Sequence, residues 1–205
     1  MDWENERAVG WPHRRVAGVD EAGRGAWAGP VIAAAVMLPP DFDPAGLDDS
    51  KKLTAAQRET LYARIAAHAE IAVGRRTPED IDTINILQAT MAAMRDAVAG
   101  LDHAPAHVLV DGNRLPDASW EATALIKGDA RAPSIAAASI VAKVTRDRLM
   151  REAHGRFPDY GWDSNKGYGA PAHIRGLEAC GITPEHRRSY APIRAILEQN
   201  GGAEI

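Results

Sequence analysis

Two hydrophobic periods organise the chain. Short, largely β-branched or apolar runs at Val16–Asp20, Pro30–Leu38 and Ile71–Arg75 predict three strands, the first two separated by a Gly-rich turn. Between the second and third, Thr54-Ala-Ala-Gln57 has the spacing at which two side chains satisfy each other's backbone N–H groups. It predicts a helix to about His68. Thr77-Pro78-Glu79 reads as N-cap, first-position proline and first-turn acid of a helix running to about Ala99, stopped by Gly100. His107–Val110 and Thr123–Ile126 are two further strands. Ser134 is expected to cap a long helix to about His154, and Pro171–Ala179 and Pro192–Gln199 to form C-terminal helices. Three early strands followed by strand–helix alternation predict one mixed α/β sheet with helices on its faces.

No repeat, low-complexity tract or Pro/Gly/Ser linker divides the 205 residues, which suit one large domain. The expected organisation is a flexible N-terminus over 1–15, one folded domain over 16–199 and a short tail over 200–205. With 45% apolar and 25% charged residues, the composition is that of a globular protein rather than a disordered one. The longest apolar runs, Val31–Leu38 and Ile135–Ala142, fall well short of the roughly 20 residues of a membrane-spanning helix. Asp2, Glu4 and Glu6 rule out a signal peptide in the first residues, and the lone Cys180 rules out an intrachain disulfide or a multi-Cys zinc site. A soluble, reduced, cytoplasmic protein is expected.

Net charge is −4, but its distribution is uneven. Twelve Lys/Arg against seven Asp/Glu lie between Lys127 and Arg194, so a basic segment sits inside an acidic protein. That is the pattern of a local phosphate-facing surface or, equally, of a solvated helix face.

The chemistry concentrates at strand ends. Asp20-Glu21 closes the first strand ahead of Gly23-Arg24-Gly25, Asp111 ends the fourth, and Asp129 follows Gly128 just after the fifth. Neighbouring strand residues point to opposite faces, so Asp20 and Glu21 reach one site only if the chain turns at Glu21. Taken singly, each acid also has a plain reading: an acidic turn, an Asp-Gly turn, a loop acid near a helix start. Four carboxylates converging on one crevice would repel and raise one another's pKa. Two divalent cations, Mg²⁺ or Mn²⁺, would resolve that conflict and suit phosphodiester displacement. Gly23-Arg-Gly25-Ala-Trp-Ala28 also matches a dinucleotide-binding pattern, but Pro30 falls inside the helix it should open, and two acids would face the pyrophosphate.

Six motifs, in order from about Val16 to Pro192, resemble bacterial ribonuclease HII: Val19-Asp-Glu-Ala-Gly-Arg-Gly25, Asp49-Ser-Lys-Lys-Leu53, Val110-Asp-Gly112, Lys127-Gly-Asp129, Ala138-Ser-Ile-Val-Ala-Lys-Val-Thr-Arg-Asp-Arg148 and Asn165-Lys-Gly-Tyr-Gly169. The resemblance implies an RNase H-like fold for residues 16–199 and a metal-dependent endonuclease. Its implied reactions are cleavage of RNA in RNA–DNA hybrids and nicking 5′ of single ribonucleotides in duplex DNA, leaving 3′-hydroxyl and 5′-phosphate ends. It assigns Asp20, Glu21, Asp111 and Asp129 to catalysis and to two cations, Mn²⁺ or Mg²⁺. Gly23, Arg24 and Gly25 correspond to the loop sensing the ribose 2′-hydroxyl, and Tyr168 to a ring against the next deoxyribose. Ser50, Lys51, Lys52, Lys143 and Arg146 are candidate phosphate contacts, although Lys143 could instead pair with Asp147. His186-Arg187-Arg188-Ser-Tyr190 reads as backbone contact or as structural pairing.

Ala170 and Tyr190 depart from the Thr and Phe common in relatives, and nothing resembles the extra N-terminal domain of ribonuclease HIII. A monomer with no readable protein partner is implied. Three rivals remain open from sequence: another RNase H-like nuclease without 2′-hydroxyl dependence, a nicotinamide-dependent oxidoreductase, and a non-catalytic hybrid-binding module.

Overall fold

A computed structural model describes residues 1–199; the expected tail at 200–205 lies outside the described residues. The elements run α1 (Glu4–Ala8), β1 (Val16–Ala22), β2 (Val31–Met37), α2 (Ala55–His68), β3 (Glu70–Arg76), α3 (Pro78–Ala99), β4 (His107–Asp111) and β5 (Ala122–Leu125). Then come α4 (Pro133–Arg156), α5 (Trp162–Asn165), α6 (Pro171–Cys180) and α7 (Ala191–Gln199). Short 3₁₀ turns at Gly128–Ala130 and Pro158–Tyr160 flank α4. The expected mixed sheet is present, with strand order β3-β2-β1-β4-β5. The first three strands pair antiparallel, and β1, β4 and β5 run parallel.

β2 is buried along its whole length because both sheet faces are covered. Ile32, Ala34 and Val36 pack into a core with α2 and α4, whereas Ala33, Ala35 and Met37 pack with α3 on the other face. The apolar run therefore feeds two cores by simple alternation. The approach of α4 to β1 is close enough that a Cβ on Gly18 would stand 2.1 Å from the Ser134 carbonyl carbon. Only glycine fits there.

Three local expectations need correction. Ser134 is not the cap of α4: Ala132 holds that position without a side-chain bond, and Pro133 is the first helical residue. The missing acceptor comes from α1, where Glu6 Oε1 accepts from Ser134 N at 2.9 Å and Ser134 Oγ at 2.7 Å. Within residues 1–15, expected to be flexible, Trp3 and Trp11 pack on the domain: Trp3 is buried in the α4 core and stacks on Trp11 at 4.2 Å. Finally, α3 is not continuous. Asn85, at φ 65° and ψ 162°, breaks it, and its Oδ1 accepts from Gln88 N to start the second half.

Candidate active site

The chain does not turn at Glu21. β1 continues in register with β2 through Ala22, so Asp20 and Glu21 straddle the sheet. Asp20 lies on the α4 side, 5% exposed, beside Ser139; Glu21 lies toward α3, in a crevice with Leu87, Thr90, Met91 and Met94. They still share one field because β4 ends beside them: its parallel register pairs Val19 with Val110 and brings Asp111 level with Asp20. Asp111 Oδ1 accepts from Gly128 N at 2.7 Å and Asp129 N at 3.4 Å, which ties the Asp129 turn to the end of β4.

Burial, then repulsion from Glu21 and Asp111, pushes the Asp20 carboxyl well above its ordinary value. Burial also raises Glu21; the Arg24 guanidinium, 3.2 Å from Oε1, pulls it back, while Asp111 pushes it further up. Asp129 is raised by burial and by Asp111 and Asp49. Among the described residues no three His, Cys, Asp or Glu form a ready-made metal cluster, so the acids interact by field rather than by shared coordination geometry. Their chemistry nevertheless suits a hard cation. They are carboxylate oxygens; Asp20, Glu21 and Asp129 are held above their ordinary values first by burial and then by neighbouring carboxylates, a balance that a divalent ion would reverse.

The Asp49–Leu53 loop leans over these acids. Ser50 Oγ is 2.9 Å from Ser139 Oγ, the hydroxyl that also bonds Asp20. Burial lowers the Lys51 ammonium, but the carboxylates of Asp49, Asp20, Asp129 and Asp111 outweigh it and hold the group above its ordinary value. Arg58 braces the loop through the carbonyls of Ser50 and Leu53. Asp49, beside both Lys51 and Asp129, and Arg58 were not singled out from sequence. Asp49 lay inside a recognised motif, whereas nothing local marked Arg58.

A groove of about 810 Å³ opens beside the acids, lined by Glu21, Gly23–Gly25, Ser50, Lys51, Arg58, Lys143 and Tyr168. Lys143 reaches it while paired to Asp147 at 2.7 Å, so the two readings of that lysine coexist. Lys52 does not line the groove; its Nζ bonds Asp48 at 2.9 Å on the surface. The structure also removes Arg146 from direct phosphate contact. It is 1% exposed, and its guanidinium donates to the carbonyls of Pro30, Lys166 and Ala28 at 2.9–3.0 Å. Burial lowers it to about 10, still charged at neutral pH. Arg146 instead supports the groove wall: Tyr168 lies over it at 5.6 Å, and a Cβ on Gly23, at φ +96°, would meet its Nε at 1.9 Å.

Arg187 resolves the open reading of the 186–190 segment as structural pairing. Fully buried, it donates to Gly29 O at 3.0 Å and to Arg24 O at 2.9 Å, and the Tyr190 hydroxyl donates to that same Arg24 carbonyl. The Gly23–Gly25 loop is thus held from behind by two buried arginines. Tyr168 is 41% exposed and lines the groove.

A mixed sheet with acids at the ends of β1 and β4 and just beyond β5, beside a groove lined by Lys51 and Lys143, is the arrangement of a nuclease of the RNase H type. Sequence comparison agrees. The model of the family described as Ribonuclease HII matches residues 17–192. Ribonuclease HII of a Jannaschia species is 53% identical over 197 residues, covering 96% of this chain and 98% of the relative. Ribonuclease HII of Paracidovorax citrulli is 56% identical over 189 residues, covering 92% and 79%. The crystal structure of ribonuclease H2 from Pyrococcus horikoshii superposes with a TM-score of 0.78 at 28% identity, covering 92% of this chain and all of the other. The chain belongs to the ribonuclease HII family, hydrolytic nucleases that cleave the RNA of RNA–DNA hybrids. Among the described residues no helix is long and apolar enough to cross a membrane.

Proposed function

We propose that this chain cleaves RNA in RNA–DNA hybrids and also nicks duplex DNA 5′ of a single embedded ribonucleotide, leaving a 3′-hydroxyl and a 5′-phosphate. The observation that carries this reading is the junction of the two halves of the site. Glu21, one of four mutually repelling acids, shares the groove wall with the Gly23–Gly25 loop and Tyr168. Asp20, Glu21, Asp111 and Asp129 would hold two divalent cations, Mn²⁺ or Mg²⁺, which when bound supply Lewis acidity to the attacking and leaving oxygens of a phosphodiester.

The rest falls to the chain itself. Gly23 and Gly25 present backbone without side chains, so a ribose 2′-hydroxyl can approach closely, and that hydroxyl is what separates RNA from DNA. The exposed face of Tyr168 rests against the next sugar and leaves no room for a hydroxyl there, giving preference for an RNA–DNA junction. Lys51, Lys143 and Ser50 contact phosphates. Lys52 and Arg146 are left out of that contact, the first facing away and the second buried. Such an enzyme acts as a monomer in the cytoplasm, removing ribonucleotides from the genome.

The test is a labelled DNA duplex carrying one ribonucleotide beside an all-DNA control, incubated with Mg²⁺, Mn²⁺ or EDTA. A single metal-dependent nick 5′ of the ribonucleotide, with the control intact, is expected. Cutting of both duplexes would point to an RNase H-like nuclease indifferent to the 2′-hydroxyl, and cutting of neither would remove the ribonucleotide reading.

A further inference from the structure

Behind Tyr168, on the side away from the groove, two buried histidines face each other. His173 in α6 and His186 beyond it are almost wholly inaccessible, and their Nε2 atoms are 3.0 Å apart. Two imidazoles in that arrangement share one proton between the facing nitrogens, and the groups at the outer ends dictate which ring carries it.

Each end holds a group that can act in one sense only; the Thr183 hydroxyl, 3.0 Å from His186 Nδ1, can act in either and follows Thr183 N–H. Thr183 N–H can only donate, and it meets His186 Nδ1 at 2.9 Å, so that nitrogen is bare and the neutral ring carries its proton on Nε2. Trp162 Nε1–H can only donate, and it meets His173 Nε2 at 3.2 Å, so that nitrogen is bare as well and shares its one lone pair between Trp162 Nε1–H and His186 Nε2–H. The Tyr168 carbonyl can only accept, and it lies 3.0 Å from His173 Nδ1, which must therefore hold the proton. Three independent ends give one assignment: Thr183 N–H to His186, His186 Nε2–H to His173, and His173 Nδ1–H to Tyr168 O. Neither ring can take a second proton without setting hydrogen against hydrogen. Burial, and for His186 its neighbour His173, lowers both pKa values accordingly, His186 to about 3.

The line ends on the residue whose ring faces the groove. Tyr168 O also receives Ala170 N–H at 2.8 Å, Tyr168 N donates to Asn165 O at 3.0 Å, and Gly167 O takes both Trp27 N and Ala28 N. Gly167 and Lys166 are tied to Trp27, Ala28 and Arg146, while of the hydrogen bonds made by Tyr168's own N–H and carbonyl it is the His173 bond that reaches beyond the turn.

We propose that the His186–His173 pair is a positioning device that sets the Tyr168 main chain, and through it the preference for a ribonucleotide followed by a deoxyribonucleotide. This rests on the reading that Tyr168 contacts the sugar next to the ribonucleotide. Neither histidine touches substrate; both act through Tyr168.

The experiment has two arms. On the wild-type protein, nitrogen-15 NMR of the histidine rings is expected to show His186 protonated on Nε2 and His173 on Nδ1; a His173 proton on Nε2 would overturn the proposal without any variant. In the second arm, kcat/KM is compared on a DNA duplex with one embedded ribonucleotide and on a hybrid whose cut strand is RNA throughout, so that only the first presents a ribonucleotide followed by a deoxyribonucleotide. His173→Leu is expected to lower the preference between them about tenfold. His173→Asn, whose amide can restore a donor to Tyr168 O, is expected to recover it to within about twofold. Tyr168→Ala serves as the reference. If it loses the preference but His173→Leu retains it, the histidine proposal fails and the Tyr168 reading stands; if Tyr168→Ala itself retains the preference, both fall together.

Discussion

Replacing Asp20 by Asn should make the metal-free protein more stable while disabling it. Asn keeps the shape of Asp20 and an oxygen to accept from Glu21 N, now 2.7 Å away, and from Ser139. It removes a charge that is 5% exposed and opposed by burial, Glu21 and Asp111. Relieving such strain at a functional site typically stabilises by about 1–2 kcal/mol, or roughly 2–8 °C in Tm for a chain of this size. The sign follows from linkage. A carboxyl raised in the folded state binds protons there more readily than in the unfolded chain, so stability falls as pH rises from 3.8 through the raised value. The advantage of Asp20→Asn should therefore be full at pH 8 and fade toward pH 4. Divalent cations reverse the order, because a ligand at 100 times its Kd adds about 2.7 kcal/mol to a protein with the site intact and less to one without it. Thermal and urea unfolding in EDTA and in Mn²⁺ measure both effects. A variant less stable than wild type in EDTA at pH 8, or an equal gain from Mn²⁺ in the two proteins, would refute the account of strained acids compensated by metal.

Asp111→Asn should abolish nicking yet fold normally, since its amide oxygen can still accept from Gly128 N; wild-type turnover by this variant would remove Asp111 from the catalytic acids. Glu6→Ala leaves Ser134 N and Oγ buried without an acceptor, so unfolding measurements should show a loss of about 1–3 kcal/mol, and an unchanged urea midpoint would contradict the capping role. His186, lowered to about 3, contributes stability that is fully present above the ordinary histidine value of 6.5 and declines as pH falls toward 3; at pH 5 about 2 kcal/mol is lost. The raised acids push the other way over part of that range, so the His186 contribution is read from its ring C–H resonances in NMR, which should still be those of a neutral imidazole at pH 5; an imidazolium there would contradict the buried pairing.

What could be read from the sequence was whatever is encoded by neighbours. The Thr54/Gln57 capping box forms as spaced, and Thr77 caps α3 with Asp80 as its reciprocal partner. The five strands appear within a residue or two of their apolar runs, because alternation and burial are properties of consecutive positions. The failures share a different cause. Ser134 looked like a cap because serine before an apolar run usually is one, yet its partner, Glu6, lies 128 positions away. Arg146 looked like a phosphate contact because a guanidinium is expected at a surface, and burial is tolerable only where donors are matched. Here the matches are the carbonyls of Ala28, Pro30 and Lys166; Arg187 uses those of Arg24 and Gly29 through Nε and Nη1, and its Nη2 finds no partner among the described residues. Every residue carries a carbonyl, so no side-chain pattern announces which ones will need a donor. The same reasoning separates Tyr168 from the histidines hydrogen-bonded behind it: Tyr168 stands in a contiguous motif, while its main-chain oxygen is reached from His173, itself paired with His186 in another segment of the fold.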